Sequence, residues 1–387
     1  MAISFAKRVG GARPSDIRRM SAICQEIGGI NLSQGVCDQP APDAVKTAAQ
    51  RAIAEDHAIY THLAGIKKLR TAIARKMAEF NGITADPDRE IVVTVGSAAA
   101  FFCVAMVLLE PGDEVVLFSP FYNYYVDALR LFDVTCRFVD TRPPDWKYSS
   151  EELASAFSTR TKLVVVNTPC NPTGKVFAET ELREIAGLAR RWDTWILTDE
   201  VYEYITYGMP HVGMARLPEA AGRTVTLSGA SKTYAVTGWR VGYAVGPAEL
   251  IQRVGVVGDL IYICAPSAFQ HGIAAGLELP QSYYTEMAAE YRRKRDLLVD
   301  TLRSIGWTPY VPDGAFYLMA DFGDRYPDGV VAADRILEQV GVATVPAASF
   351  YRDPSQGRTQ LRFCFAKQMH DLEAACERLR RLTKGKP

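Results

Sequence analysis

Five side chains are of types that carry chemistry: Asn171, Asp199, Tyr202, Lys232 and Arg362. A lysine amine can attack a carbonyl carbon and later carry a proton, so Lys232 in Leu227-Ser228-Gly229-Ala230-Ser231-Lys232-Thr233-Tyr234 is a candidate nucleophile and base. Alone, a lysine in a small-residue loop reads as a solvated surface group, and only its company changes that. Asp199 ends the run TWILTD. A buried carboxylate there would take up a proton unless it met a cation, and a protonated ring nitrogen is one such partner. The competing reading makes Asp199 the N-cap of a short Glu200-Val201-Tyr202 helix. Arg362 lies in the apolar run Leu361-Arg362-Phe363, where a guanidinium needs an anion. A structural salt bridge is the bland choice and a bound carboxylate the sharp one.

These residues are far apart in the chain, so a fold must gather them. From about residue 90 to 250, short β-branched runs alternate with helical stretches, which predicts an α/β sheet covered on both faces. The candidate strands are IVVTVG (91–96), EVVLF after the Glu110-Pro111-Gly112-Asp113 turn, CRFVD (136–140), KLVVVN (162–167), TWILTD (194–199), TVTLS (224–228) and RVGYAVG (240–246). Helices are expected from Ser97 and over 179–192. Asn171 follows one strand, Asp199 ends the next and Lys232 follows the one after. Ligands in open α/β sheets collect at the carboxyl ends of strands, so the three can converge. After about residue 284 the pattern changes to a long charged helix (EMAAEYRRKRDLLVDTLRSIG), short strands, a helix near 331–340 and a last helix near 370–383. The expected organisation is an N-terminal arm and part of a small domain over 1–40, a large domain over 41–283 and a small α+β C-terminal domain over 284–387. No low-complexity linker separates them, so they should pack closely.

The balance of 44 basic and 44 acidic residues gives no reason to expect nucleic acid or membrane as a partner. The longest apolar run, Ala98 to Leu109, is shorter than the roughly 18 residues a bilayer span needs and reads as a buried helix. Eight scattered cysteines without a Cys-x-x-Cys pair read as reduced, mostly buried thiols. The five histidines show no metal-ligand spacing, and no metal is expected. The basic N-terminus lacks the Ser-rich character of a transit peptide and reads as an ordered arm of a cytoplasmic enzyme.

Nine stretches occur in order: INLSQGVCDQP, IYTHLAGIKKLR, VTVGSAAAF, SPFYNYY, NTPCNPTGKVF, LTDEVYEYI, SGASKTYAVTGWRVGY, DGAFYL and LRFCFA. Together they resemble the class I aminotransferases of the aspartate aminotransferase superfamily, fold type I among enzymes of pyridoxal 5′-phosphate (PLP), over nearly the whole chain. The resemblance implies a large domain with a mainly parallel seven-stranded sheet, a smaller α+β domain, and PLP as cofactor. By the same resemblance Lys232 holds the cofactor as a Schiff base and moves the proton at the substrate α-carbon. Asp199 would pair with the pyridine nitrogen, Tyr202 and Asn171 would reach the ring's 3′-oxygen, and Tyr122 would stack on its face. Backbone N–H groups of Ser97 and Ala98, with Ser231 and Arg240, would hold the phosphate. Arg362, with Gly35 and Asn171, would take the substrate. Tyr60 matches a tyrosine that reaches the cofactor phosphate of the neighbouring subunit, which implies a homodimer. Two positions depart from the family: Gly229 stands where many members have a phosphate-binding serine, and Ala98 offers no hydroxyl. Phosphate contacts must then rest on backbone, Ser231 and Arg240. Cys170 is given no role.

The tail VPAASFYRDPSQGRTQLRFCFAK and NTPCNPTGKVF look most like the kynurenine and glutamine–phenylpyruvate branch. The resulting expectation is ping-pong transfer of an amino group from a large neutral or aromatic L-amino acid to a 2-oxo acid. The alternative is a cysteine-conjugate carbon–sulfur β-lyase on the same site. A nicotinamide-dependent dehydrogenase is disfavoured because VGSAAAF lacks Gly-x-Gly-x-x-Gly, and a non-enzymatic ligand sensor because no DNA-binding segment is appended.

Overall fold

The computed structural model describes residues 6–9 and 15–384, so residues 1–5 and 10–14 of the expected N-terminal arm lie outside the description. Seven strands form the main sheet: β1 (Ile91–Thr94), β2 (Glu114–Ser119), β3 (Thr135–Asp140), β4 (Thr161–Asn167), β5 (Trp195–Asp199), β6 (Thr224–Gly229) and β7 (Gly242–Val245). They are the seven read from the sequence. Their spatial order is β1-β7-β6-β5-β4-β2-β3, with β7 antiparallel to both neighbours and the other pairings parallel. β2 and β4 are buried almost throughout because helices cover both faces, which is why they read as unbroken Val/Leu/Phe runs rather than alternating ones.

The helix Gly96–Leu108 is apolar all round, as a helix wedged between sheet and neighbouring helix must be. It packs against the helix Ala248–Tyr262 and the inner strands. Among the described residues no helix is long and apolar enough to cross a membrane.

A second, antiparallel sheet has the order β10-β11-β9-β8, from β8 (Thr308–Tyr310), β9 (Tyr317–Asp321), β10 (Val345–Pro346) and β11 (Gln360–Cys364). The helix before it runs Gln281–Ser304, starting five residues earlier than the charged pattern suggested. Pro280 at its N-cap sets that start, and nothing in QSYYT breaks it. The helix expected near 370–383 is Met369–Arg380, followed by a tight turn. A two-residue parallel ladder pairs Ile30–Asn31 with Val342–Ala343. Cys364 N–H then donates to the Leu32 carbonyl at 2.7 Å, so the segment after residue 30 is stitched beside β11.

Candidate active site

β4, β5 and β6 are adjacent, with Asn167 in register with Asp199 and Asp199 with Leu227. Their carboxyl ends therefore lie side by side and open on a cavity of about 670 Å³. Gly35, Ser97, Ala98, Tyr122, Asn171, Asp199, Tyr202, Ser231, Lys232, Arg240 and Arg362 all line it. Tyr60 does not; it lies on the outer surface, 75% exposed.

Asp199 is buried, yet among the described residues its carboxylate accepts only the Tyr125 hydroxyl at 2.6 Å and the Val201 N–H at 3.3 Å. Burial pushes its carboxyl up to about 6, opposed by these bonds and raised further by Glu200. The short helix considered after Asp199 does not form. Residues 201–204 make a turn, and the Val201 bond is all that remains of the capping role. The side chain faces the cavity because strand alternation turns Thr198 and Asp199 to opposite sides of the sheet.

Lys232 sits in the one-turn helix Ala230–Thr233 directly after β6. Its ammonium donates to the Gly35 carbonyl at 2.8 Å and lies 5.6 Å from the centre of the Phe316 ring. No carboxylate pairs with it among the described residues. Burial lowers its pKa, which favours the free amine a nucleophile or base requires.

An anion cradle lines the same cavity. The helix Gly96–Leu108 begins there with no side-chain cap, leaving first-turn N–H groups, Ser97 and Ala98 among them, without a capping acceptor. Arg240 brings its guanidinium to the same end, donating to Val95 O at 3.3 Å and Thr237 O at 3.0 Å. Gly96 (φ +77°) must be glycine, since a Cβ there would strike that guanidinium. Gly242 on β7 passes so close that a Cβ would lie 2.6 Å from Ser97 N. The donor set of backbone N–H, serine and arginine suits a phosphate, and a buried carboxylate lining the same cavity suits a protonated ring nitrogen. On these observations the residues fit PLP.

Arg362 on β11 is 1% exposed and makes no ion pair among the described residues. Its guanidinium donates to Asn171 Oδ1 at 2.9 Å and Ser33 O at 2.5 Å, stands over the rings of Tyr317 and Phe350, and leaves Nε without a partner. The structural salt bridge weighed from sequence is absent among the described residues. A fully buried cation with only neutral acceptors is arranged for an anion from outside.

Sequence reasoning missed several lining residues. Tyr125, three positions after Tyr122 and so on the same helical face, is the main partner of Asp199. Tyr317, within the DGAFYL stretch, meets the Tyr202 hydroxyl at 3.0 Å. Ser15, Ile17 and Arg18, at the start of the helix Asp16–Glu26, reach the cavity rim, which no local signal announces. Cys170 is buried, and burial pushes its thiol up, so it is a poor nucleophile. All eight cysteines are unpaired and six are buried.

A family model described as aminotransferase class I and II matches residues 27–379. Human kynurenine–oxoglutarate transaminase 1 is 32% identical over 97% of both chains. The aspartate/prephenate aminotransferase of Thermus thermophilus is 36% identical over 98% of both. In structure, N-succinyldiaminopimelate aminotransferase from Mycobacterium tuberculosis superposes with a TM-score of 0.95 at 32% identity, covering 98% of this chain and all of that one.

Proposed function

We propose, for a chain that belongs to the class I and II aminotransferases and so moves amino groups between amino acids and 2-oxo acids with PLP, which residues do the work and on which amino acids. The observation that carries the reading is the meeting, on three adjacent strand ends, of an unpaired buried carboxylate, an amine without a counter-ion and an anion cradle. Bound there, PLP supplies an aldehyde that takes up amines and a ring that withdraws electrons from the substrate α-carbon.

The protein's own groups do the rest. Lys232 tethers the cofactor and, as a free amine, takes and returns the proton at the substrate α-carbon. Asp199 stays ionised against the ring nitrogen, Tyr125 holds that carboxylate in place, and Tyr202 and Asn171 serve the ring oxygen. The Gly96 helix terminus, Ser231 and Arg240 hold the phosphate. Arg362 orients the substrate through its α-carboxylate, with Asn171 and Gly35 beside it. Tyr122 covers the cofactor face. The donor class we infer is large neutral or aromatic L-amino acids, supported by Ile17, Val36, Phe101, Tyr122, Tyr124 and Tyr317 around the cavity.

The active unit we infer is a homodimer. Ile59, Tyr60 and, on the helix Ala248–Tyr262, Val256, Leu260 and Ile261 stand exposed, and Leu63 lies against Gly255 of that helix. An apolar face of this kind is characteristic of an interface. Eight unpaired thiols support a cytoplasmic setting.

The test is a screen of single amino acids for loss of the cofactor's visible absorbance without an acceptor. Bleaching by phenylalanine, tyrosine or methionine, with colour restored by a 2-oxo acid, is expected. An unaltered band with every amino acid refutes the reading, and pyruvate and ammonia released without an acceptor would mark a β-lyase instead.

A further inference from the structure

Behind the turn that carries Asp199 and Tyr202 lies a second charged cluster that the chemistry above leaves unused. Glu200 and Glu203 interleave with Asp199 and Tyr202 along the chain but do not line the cavity; both are buried beneath it. Lys76 Nζ lies 2.5 Å from Glu203 Oε2. Asn81 Nδ2 donates to Glu203 Oε2 at 2.8 Å and to Glu200 Oε2 at 3.2 Å. His211 Nε2 is 2.8 Å from Glu200 Oε2. The remaining oxygens are also taken: Glu200 Oε1 accepts from Thr198 Oγ1 and Met214 N–H, and Glu203 Oε1 from Ser228 Oγ at 2.6 Å.

Ligand atoms of Glu200, Glu203 and His211 lie within 4.8 Å of one another, a spacing that would suit a cation. The Lys76 ammonium already fills that part, so the cluster is a closed ion network. Its members come from every element around the turn. Lys76 ends the helix Lys67–Lys76, and Asn81 ends the turn after it. Thr198 is on β5, His211 and Met214 are on the chain that returns from the turn, and Ser228 is on β6. Since 201–204 is no helix, few backbone bonds hold it, and these side chains supply the anchorage.

We propose that Glu203 and Glu200, held by Lys76, Asn81 and His211, are positioning residues for the reaction. They fix the turn so that Asp199 and Tyr202 meet the cofactor ring at a set distance from Lys232. The Ser228–Glu203 bond is the direct tie, because Ser228 lies on the strand that delivers Lys232, while Glu203 follows Tyr202. The charges bear on the site as well. Glu200 adjoins Asp199 and raises its carboxyl, whereas Lys232 lowers it and Tyr125 bonds to it. On the far side the cluster is closed by Phe80, Tyr204 and Tyr243, whose rings surround Lys76. The inference rests on the reading that Asp199 serves the ring nitrogen.

The experiment uses the holoenzyme and follows kcat, KM and the pH titration of the cofactor's visible band. Glu203→Gln is expected to lower kcat about tenfold or more with little change in KM, and to move the titration midpoint by roughly half a pH unit. Ser228→Ala, a milder change, should move both in the same direction by less. If Glu203→Gln alone does not fold, the pair Glu203→Gln/Lys76→Met, which removes one buried charge of each sign, should fold and keep the shifted midpoint. Wild-type kcat and midpoint in the folded pair and in Ser228→Ala would overturn the proposal. Asp199→Asn separates the two failures: if it shifts the band while the cluster variants do not, only this inference falls, and if it too leaves the band unchanged, the site reading falls with it.

Discussion

Two sides of one turn are built on opposite rules. On the cavity side Asp199 has two donors, Lys232 a lone carbonyl, and Arg362 neutral acceptors and an orphaned nitrogen. On the inner side, one residue further along, the oxygens of Glu200 and Glu203 are saturated by an ammonium, an imidazole, an amide, two hydroxyls and a backbone N–H. Burial is similar on both sides. What differs is how far the charged groups are satisfied, and a buried charge left short of partners beside a cavity is available to a ligand.

Breaking the unsatisfied side should destroy activity and spare the fold. Lys232→Ala should lower kcat by about 10⁴-fold or more and abolish borohydride labelling at position 232, read by peptide mass, with Tm close to wild type. Arg362→Leu should lower kcat/KM for α-amino acids roughly 10²–10³-fold, since it removes a charge-assisted grip on a carboxylate. Amines that lack a carboxylate should be turned over equally by both proteins, and the Tm should hold or rise because a buried unpaired cation is gone.

Breaking the satisfied side should cost stability first. Glu203→Gln strands Lys76 in the interior, at about 3–5 kcal/mol, while the pair with Lys76→Met should recover most of it in denaturant titration. The smallest effect sharpens the contrast. Asp199 has its folded carboxyl raised to about 6, so the apoenzyme loses stability as pH climbs from the unfolded value near 4 to about 6 and stays lower above that. Asp199→Asn removes that loss. The apo variant should gain at most about 3 kcal/mol over wild type at pH 8 and nothing at pH 4, measured by thermal unfolding, while losing activity as holoenzyme.

Much of this was legible in the sequence for definite reasons. β-branched runs such as KLVVVN and TWILTD announce strands buried on both faces, and Asn171, Asp199 and Lys232 lie at or shortly after strand ends, so these three could be gathered by a general rule about sheets. Arg362 was legible as a charge in an apolar run. Tyr125 was not, because FYNYY offers three tyrosines and only the helix phase selects the one that meets Asp199. The inner cluster was invisible for a related reason. In DEVYEY the acids look like a solvated stretch, and the facing of Glu200 and Glu203 follows only once the turn is known to form in place of a helix. Ile17 and Arg18 reach the rim through a tertiary approach that leaves no periodic mark.

The stitching of Leu32 and Ser33 to β11 has a consequence for biosynthesis. Strands β1 to β7, with Lys232, leave the ribosome well before the strand that bears Arg362, and domains of a nascent chain fold as units in order of emergence. The pocket floor can therefore assemble while the grip on the carboxylate still lacks its arginine. On the proposed role of Arg362, only the docking of the last strand against the waiting Ser33 carbonyl would let the newly made chain tell an amino acid from a simple amine.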